Sequence, residues 1–484
     1  MEQGAPPERT SKVWIAAVIV AGLATWLCYE AFPGINWPIW TATATALFLF
    51  IAQPRLGSTR LIAFFAAAAV VISGAAPITA NPFIHFLIFI IGMLLLGMAM
   101  LLSAAPLVRR ITAGFTIAAP VMAITNAVVS AVRRTSDAST LVGSSRARAI
   151  IRGLVITLPV LIVFSLLLAS ADPTFALWRN TIERILTSWE FLPRTIFFLV
   201  IFAVSLGVYS YGLFAKESPS VTPIEPNRWL GSAERLILIS SVAGLLWLFL
   251  LVQLSYLFGN LPQVTGSGIT FAEYARRGFG ELTIVASATA LLIIAAERFG
   301  VRDSRQRTVR FVTLAAIAAV LFLLGSAFNR VVLYEAAYGF TTARLYAQVF
   351  MILIAVALLA LVAEVIGELD PGRLFRRVGA AALLLFIGLI YWNHEAWIAR
   401  KNIERYTITG KLDAPYLVRD LSLDAVPTIV SAIPSIGEPF RSELRALLER
   451  QYRNRRNMLL NTEWYEASLA RSRARESLAS LGLP

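Results

Sequence analysis

Long apolar runs joined by short polar links are the feature that most constrains what this chain can fold into. Hydrophobic residues make up 57% of the 484 residues and charged residues only 15%, whereas about a quarter of a soluble domain is charged. Because so apolar a chain cannot expose its surface to water, most of it must face lipid or other membrane helices. The lipid bilayer is therefore the first expected partner.

Eleven of these runs are interpreted as membrane-spanning helices. The first follows a short polar segment, as a signal peptide would, but it has the length of a full crossing and no small-x-small cleavage site follows it. We therefore expect it to be retained. The predicted fold class is all-α, a polytopic membrane helix bundle of about 11 transmembrane helices over residues 13–392 with a small C-terminal helical domain. The predicted spans are Val13–Phe32, Trp37–Ala52, Leu61–Ile78, Phe83–Ser103, Gly153–Ala171, Arg194–Phe214, Leu236–Phe258, Gly280–Glu297, Phe311–Phe328, Leu345–Ala363 and Val378–Trp392.

The run Ile111–Val132 is apolar enough to cross a membrane, but Pro120 and Asn126 interrupt it. Arginines flank it on both sides, so a crossing would place one arginine group outside. We therefore favour an interfacial or partly buried segment within a cytoplasmic loop at residues 103–152. A membrane crossing remains the alternative.

The distribution of basic residues predicts the orientation. With segment 1–12 inside, the inner segments hold 22 Lys and Arg residues, the outer loops hold seven, and residues 393–484 hold the remaining 14 of 43. Short loops rich in Lys and Arg stay cytoplasmic, whereas long domains translocate largely regardless of charge. We therefore expect a cytoplasmic N-terminus and, after an odd number of spans, an extracytoplasmic C-terminal domain.

Residues 393–484 show a pattern typical of short amphipathic helices. Arg441–Met458 carries apolar residues at helical spacing, and Asp424 is placed to cap a helix with Pro427 in its first turn. A small helical domain near the membrane is favoured over a disordered basic tail because aromatic residues and leucines recur regularly. Before the helix at 441 we expect a break at three residues: Pro434, Gly437 and Pro439.

The sequence lacks catalytic and metal-binding motifs. His394-Glu395 begins like a zinc-protease signature, but the second histidine position is Ile398. His85 is the only other histidine, which excludes a histidine-rich metal site, and the single Cys28 excludes disulfides within the chain. The basic residues fall in short clusters between apolar runs, as in loops near lipid headgroups. We expect no catalytic residue, metal, cofactor or nucleic-acid partner.

Polar residues gather at the outer ends of the predicted spans. They form either helix caps and interfacial anchors or a binding or reaction site, since ionisable groups near membrane depth are costly and often functional. Glu364, at an inner helix end, is read as an interfacial residue over a proton relay. The outer-face polar cluster consists of Asp172, Gln253, Tyr256, Glu273, Tyr274, Arg276, Arg277, Glu281, Arg330, Tyr334, Glu335, Tyr338, Gly339, Thr341, Arg344 and Tyr346.

One stretch of this cluster predicts a tight helical hairpin. Arg330–Tyr338 is expected to continue the preceding span as a helix, because its polar residues recur every four positions. Gly339 tolerates the left-handed end of a helix, and Thr341 or Thr342 can cap the next one. We also expect ion pairs among Glu273, Arg276, Arg277 and Glu281, or between these and Arg330, Glu335 and Arg344.

Several short stretches between residues 150 and 470 carry a resemblance to a known family. They are 171–173, 252–259, 271–282, 333–334, 338–341, 344–346, 402–405 and 423–427. In these stretches the chain resembles bacterial multi-pass membrane proteins of the DUF4173 group, which is related to the DUF4153 group. The resemblance implies a bacterial cell (inner) membrane location and brings no established activity, cofactor or catalytic residue.

Two classes of function remain open. The first is a non-enzymatic envelope protein that presents the outer-face polar cluster and the C-terminal domain to a protein or small-molecule partner. The second is a transporter or membrane-embedded enzyme acting on a lipid-linked or small polar substrate. A transporter should show an internal repeat and an enzyme a recognisable acid–base or nucleophile set. Because the sequence shows neither, we favour the first class.

Overall fold

Helices form the regular secondary structure in the part of the chain that the computed structural model describes. An isolated bridge joins Leu230 to Gly300. The chain divides into two units, the first made of residues 1–108, 114–220 and 455–475 and the second of residues 109–113, 221–454 and 476–484. The described residues are 7–52, 59–104, 111–138, 164, 191–214, 228–258, 279–301, 306–367, 369–460 and 463–482.

Thirteen α-helices of the described residues precede residue 440 and confirm the predicted all-α class. The first unit contains α1 (Pro7–Leu27), α2 (Asn36–Ala52), α3 (Thr59–Ser73), α4 (Pro82–Ala104), α5 (Ala113–Ala138) and α6 (Phe191–Phe214). The second contains α7 (Ser232–Phe258), α8 (Phe279–Phe299), α9 (Gln306–Tyr338), α10 (Thr342–Ile366), α11 (Pro371–Tyr391), α12 (His394–Thr409) and α13 (Val426–Ala432).

Eight of the described helices, α4 to α11, are long and apolar enough to cross a membrane. Three shorter apolar helices, Ser11–Leu27, Asn36–Ala52 and Arg60–Ser73, coincide with the first three predicted spans. The chain is thus a multi-pass membrane protein. The predicted span Gly153–Ala171 lies outside the described residues, and the count of eleven stays a prediction.

In the first unit, α1 and α6 run antiparallel. Trp14 packs near Phe202 with ring centroids 5.9 Å apart, and Tyr29, just beyond α1, lies 5.5 Å from Phe197 near the start of α6. The end of α2 lies beside the end of α6, where the Cβ of an added side chain at Gly212 would meet Phe48. The start of α1 and the ends of α2 and α6 therefore share one face, the Pro7 face.

The helix α5 ends at this same Pro7 face. The ring centroids of Trp37 and His85 lie 5.7 Å apart, so α2 and α4 start at the opposite face and α4 ends at the Pro7 face. The guanidinium of Arg134, near the end of α5, lies 3.6 Å from the ring centroid of Phe214, the last residue of α6. α5 has the length and composition of a span, and its end lies at the same face as the end of α4, so whether it crosses the membrane stays a prediction.

A C-terminal segment packs at the other face of the first unit. Within it, a short turn at Trp464–Glu466 precedes α15 (Leu469–Ala479). The Ile35 amide donates to the Ala467 carbonyl at 3.1 Å, and the Leu469 amide donates to the Pro77 carbonyl at 2.7 Å. The Ile35 amide lies in the α1–α2 loop and the Pro77 carbonyl lies in the α3–α4 loop. The segment therefore lies at the face opposite Pro7, which we call the Ala467 face.

In the second unit, α9 is the central helix and packs against α7, α8 and α10. Ala316, Ile317 and Val320 on α9 are fully buried, and small residues let the neighbouring helices approach closely. Trp247 of α7 donates its indole N–H to the Ala315 carbonyl at 3.1 Å. The interior of this unit is therefore built around a single long helix.

The predicted helices after residue 393 are present, with one correction. α14 spans Phe440–Leu460 and buries Leu444, Leu448 and Tyr452, and Pro427 lies in the first turn of α13. The expectation that Asp424 caps this helix is wrong. Ser422 caps the preceding turn by accepting the Asp424 amide, because the shorter hydroxyl side chain reaches an amide two residues on.

The buried carboxylate of Glu364 joins α10 to α11. Arg373 donates to both of its oxygens at 2.8 Å, Arg377 donates at 2.9 Å, and the Asp370 amide donates at 3.1 Å. Glu364 is 0% exposed, whereas the two arginine side chains are 43% and 50% exposed. Glu364 is thus the centre of a charged clamp between α10 and α11.

Breaking this clamp from its two sides should have unequal effects. Replacing both Arg373 and Arg377 with alanine should lower the free energy of unfolding by about 3–5 kcal/mol, because a buried carboxylate then loses its partners. Glu364→Gln should cost about 1–3 kcal/mol, since the exposed arginines can turn to water. Denaturant unfolding of the detergent-solubilised protein measures both. A larger loss for Glu364→Gln would contradict this account.

Candidate functional site

The α9–α10 hairpin forms as predicted. α9 has 33 residues and a length of about 50 Å, which exceeds the roughly 30 Å hydrocarbon core. The helix ends at Tyr338, and Gly339 follows with a φ of 90°. Thr341 then caps α10, and its side chain accepts the Arg344 amide. Both the turn at Gly339 and the Thr341 cap are confirmed.

Asn402 of α12 holds the backbone of this turn. Its amide nitrogen donates to the Phe340 carbonyl at 2.8 Å, and its amide oxygen accepts from the Phe340 N–H at 2.8 Å. One side chain thus satisfies both backbone groups of Phe340, the middle residue of the three that join the two helices. A Cβ at Gly339 would lie 2.5 Å from that same amide oxygen, so the glycine is required for space as well as for φ.

Two further side chains complete the ends of the helices. Arg405 donates its Nε to the Ala336 carbonyl at 3.0 Å and a second nitrogen to the Ala337 carbonyl, where α9 has no intrahelical donors left. The Tyr416 hydroxyl accepts the Thr342 amide at the start of α10 at 2.9 Å. Burial raises the pKa of the Tyr416 hydroxyl. The hairpin is therefore capped from outside the two helices that form it.

Aromatic and histidine contacts reinforce the same junction. The ring of Phe340 meets Trp397 edge-on, with centroids 5.3 Å apart. The Tyr346 hydroxyl and the Nε2 atom of His394 are 3.0 Å apart, and His394 is 3% exposed. Burial has the largest of several effects on the pKa of His394, and it lowers that pKa. We infer that this histidine is neutral at pH 7.

The two halves of the His394-Glu395 pair point to different partners. His394 contacts Tyr346 of α10. Glu395, 1% exposed, accepts the Ser422 amide at 2.8 Å and the Ser422 hydroxyl. The pair therefore fastens α12 to α10 on one side and to the start of the 423–425 turn on the other. Among the described residues, no group of three or more His, Cys, Asp or Glu is placed to hold a metal ion.

The cluster residues of the hairpin split into a stacked group and a buried group. Arg344 donates to the Gly339 carbonyl, and its guanidinium lies 4.2 Å from the ring centroid of Tyr334. Tyr334 in turn lies 4.8 Å from Tyr338, which is 51% exposed. Arg330, one turn before Tyr334 on α9, is half-buried. This group covers the outer side of the hairpin.

Glu335 faces the interior of the second unit. It is 2% exposed, and its Oε2 atom accepts from the Gln348 amide of α10 at 2.8 Å. Its Oε1 atom has no hydrogen-bond donor among the residues that the structure describes. A buried carboxyl oxygen without a donor is costly, so Glu335 Oε1 has capacity to accept a further hydrogen bond.

The structure thus brings together eight cluster residues: Arg330, Tyr334, Glu335, Tyr338, Gly339, Thr341, Arg344 and Tyr346. Glu281 lies in the first turn of α8, and Gln253 and Tyr256 lie in the last turns of α7, where side chains are not described. Asp172, Glu273, Tyr274, Arg276 and Arg277 lie outside the described residues, so the ion pairs expected of them stay a prediction.

Sequence reasoning missed the residues that hold the hairpin in place. Asn402, Arg405 and Tyr416 lie more than sixty residues further along the chain from their backbone partners. A signal for two of them was present, because residues 402–405 form one of the stretches that carry the family resemblance. Nothing in the stretch itself indicates that it contacts residues 336–340.

Comparison with known proteins gives one match. A family model described as a domain of unknown function, DUF4153, matches residues 65–432. The match begins well before residue 150, where the sequence resemblance was placed, so it includes most of α3 and all of α4 and α5. Neither a curated protein nor a solved structure matches the chain.

Gly339→Val should prevent normal assembly of the hairpin. A positive φ alone costs a non-glycine residue about 1–3 kcal/mol, and the new side chain would also displace Asn402. The matched control is Gly388→Val in α11, where an added Cβ meets nothing within 4 Å. Size-exclusion yield and melting temperature measure the effect. Wild-type values for Gly339→Val would contradict the geometry described here.

Acidification should weaken the His394 contact. Its pKa is lowered from the ordinary value of 6.5 by burial, so the unfolded chain binds the proton first as the pH falls. The stability that neutral His394 contributes is complete above about pH 6.5 and is lost below it. We expect His394→Gln to reduce the fall in melting temperature between pH 7.5 and 5. In the control variant His85→Gln, His394 is unchanged, so its contribution to that fall should remain. An unchanged fall in His394→Gln would refute the assignment.

Proposed function

The chain belongs to the DUF4153 family of unknown function, and we propose that it is a non-enzymatic envelope protein of the bacterial cell membrane. In this proposal, the membrane bundle is a scaffold. It holds the α9–α10 hairpin and α12 as one rigid outer surface, and that surface binds a protein partner.

The observation that carries this proposal is the paired hydrogen bonding between Asn402 and Phe340. A reaction site needs side chains that are free to touch a substrate. At this hairpin, the polar groups of Asn402, Arg405 and Tyr416 are bonded to backbone instead. Such an arrangement fixes the shape of a surface and occupies the polar groups of these three side chains, so we propose that they do not act on a substrate.

The surface that is held in this way exposes large apolar and aromatic side chains. Tyr338 is 51% exposed, Trp392 42% and Ile408, near the end of α12, 86%. Aromatic residues are enriched where proteins meet one another. Ile408 lies one turn beyond Arg405, which contacts the end of α9, so these side chains belong to one end of the second unit.

We assign this end to the outside of the cell from the charge distribution. At the other end of α10, the first two turns of α11 carry Arg373, Arg376 and Arg377 close together, as the cytoplasmic ends of membrane helices do. The first unit supports an odd number of crossings, because Pro7 and Ala467 lie at opposite faces and the ends of α4 and α5 lie at the same face.

Topology reporters should therefore read inside after Arg148 and Val301 and outside after Pro484. The physical reason is the excess of basic residues in the inner segments. A labelled cysteine in place of the exposed Arg133 should react from the same side as one near the N-terminus, in a Cys28→Ser background. An inside signal after Pro484 would overturn the orientation, and Arg133 on the opposite side would restore the crossing of α5.

The buried oxygen of Glu335 favours the alternative of a transporter or membrane-embedded enzyme. Ionisable groups buried within membrane helices often mark ion or proton pathways. Under that alternative, Glu335→Gln should abolish the cellular role while the protein still assembles, because glutamine keeps the shape and loses the charge. Under the scaffold proposal, the variant retains the cellular role.

Photo-crosslinking in native cells tests the scaffold directly. A benzophenone amino acid at Tyr338 and at Ile408 should yield a discrete protein adduct, identified by mass spectrometry as the same partner at both positions. Leu384, 69% exposed within the α11 span, is the lipid-facing control and should yield none. If neither surface position yields an adduct while Glu335→Gln abolishes the phenotype, the scaffold proposal fails and the alternative stands.

A further inference from the structure

A small cavity lies in the C-terminal segment of the first unit. Its volume is about 150 Å³, and it lies between the Trp464–Glu466 turn and the first turns of α15. Charged and hydroxyl side chains dominate its lining. The lining residues are Glu463, Trp464, Glu466, Ala467, Ser468, Arg471, Ser472 and Arg475.

The walls of this cavity are fixed to the membrane helices. Glu466 accepts the Phe32 amide at 2.8 Å, and the Ser468 hydroxyl donates to the Pro77 carbonyl at 3.1 Å. A Cβ at Gly34 would lie 2.5 Å from the Glu466 backbone, so the loop and the segment are in close contact. The cavity is therefore a built feature of the Ala467 face.

Arg471 is the buried cation of the cavity. It is 5% exposed, and one terminal nitrogen donates to the carbonyls of Pro33 and Glu466. Its Nε–H has no acceptor among the described residues. A buried guanidinium N–H without an acceptor is costly, and a phosphate oxygen is among its strongest acceptors. Arg475, exposed on the next turn of α15, supplies a second cation.

The cavity also carries negative charge, which argues against a simple anion site. The carboxylate of Glu466 is occupied by two backbone amides, those of Phe32 and Glu463. Glu463 is exposed at the edge of the cavity, beside the 57% exposed ring of Trp464. A carboxylate next to an indole face attracts an ammonium group. The lining thus matches a ligand that carries both charges.

Aromatic residues place this cavity at the depth of lipid headgroups. Trp26, in the last turn of α1, is 59% exposed, and its ring centroid lies 5.9 Å from Trp464 and 6.4 Å from Tyr465. Exposed tryptophan and tyrosine gather at the boundary between hydrocarbon and water. A ligand in the cavity can therefore have its acyl chains in the bilayer beside α1.

We propose that this cavity binds the headgroup of an aminophospholipid, a phosphate linked to a primary amine. The phosphate accepts from Arg471 Nε and from Arg475, and the ammonium lies against Glu463 and Trp464. The site is separate from the hairpin surface, so its test does not depend on the proposed scaffold function.

Native mass spectrometry of the full chain in detergent tests this site. Dioctanoyl phosphatidylethanolamine should be retained in preference to dioctanoyl phosphatidylglycerol. Arg475→Gln and Glu463→Gln should each reduce its occupancy about tenfold, the loss expected for one charge-assisted contact. Arg473→Gln is the matched control, on the same helix and outside the lining, and should leave occupancy unchanged. All three variants should keep the wild-type melting temperature.

The remaining arms separate the possible sources of the headgroup. Free phosphoethanolamine should compete with the lipid only at much higher concentration, because it lacks the acyl chains. Displacement of the lipid by inorganic phosphate at equal concentration would overturn the proposal in favour of a free-phosphate site. Equal retention of the two lipids, or occupancy that survives both Arg475→Gln and Glu463→Gln, would also overturn it.

Discussion

Every backbone amide and carbonyl at the edge of a bilayer needs a partner, because the hydrocarbon beside it supplies none. The α9–α10 hairpin breaks two helices at once, which leaves carbonyls at residues 336 and 337, both groups of Phe340 and the Thr342 amide without helical partners. Three side chains from α12 and the following turn supply what is missing. The elements of the second unit that follow α11 therefore pack directly against the α9–α10 hairpin.

The sequence predicted the local half of this arrangement and missed the distant half. A glycine between a tyrosine and a threonine predicts a left-handed turn followed by a cap, and both depend only on neighbouring residues. The bond from Asn402 to Phe340 joins residues 62 positions apart, and no periodicity encodes such a pairing. Asp424 shows that even a local prediction can fail, because residues 423–425 form a turn of their own and the helix begins at Val426 with Ala425 at its N-cap position.

Two buried carboxylates, Glu364 of α10 and Glu335 of α9, differ in the number of hydrogen bonds that they accept. Glu364 receives three side-chain bonds from two arginines on the next helix, so its charge is fully compensated. Glu335 receives one bond from Gln348 and keeps an open oxygen among the described residues. From the sequence alone, both were single glutamates near helix ends, because burial is set by the packing of α9 against its neighbours. The first is an anchor, and the second is where the alternative function would lie.

The contact between the α1–α2 loop and the C-terminal segment can form only late in synthesis of the chain. The Phe32 amide is bonded to a side chain 434 residues further along the chain. At about 5–20 residues per second, roughly 20–90 s of synthesis separate the two. Throughout that interval, the α1–α2 loop is already inserted while its last partner does not yet exist. Closure of this contact therefore requires synthesis at least as far as residue 466, and a protease or chaperone that recognises the open loop would distinguish chains that end before that residue from longer ones.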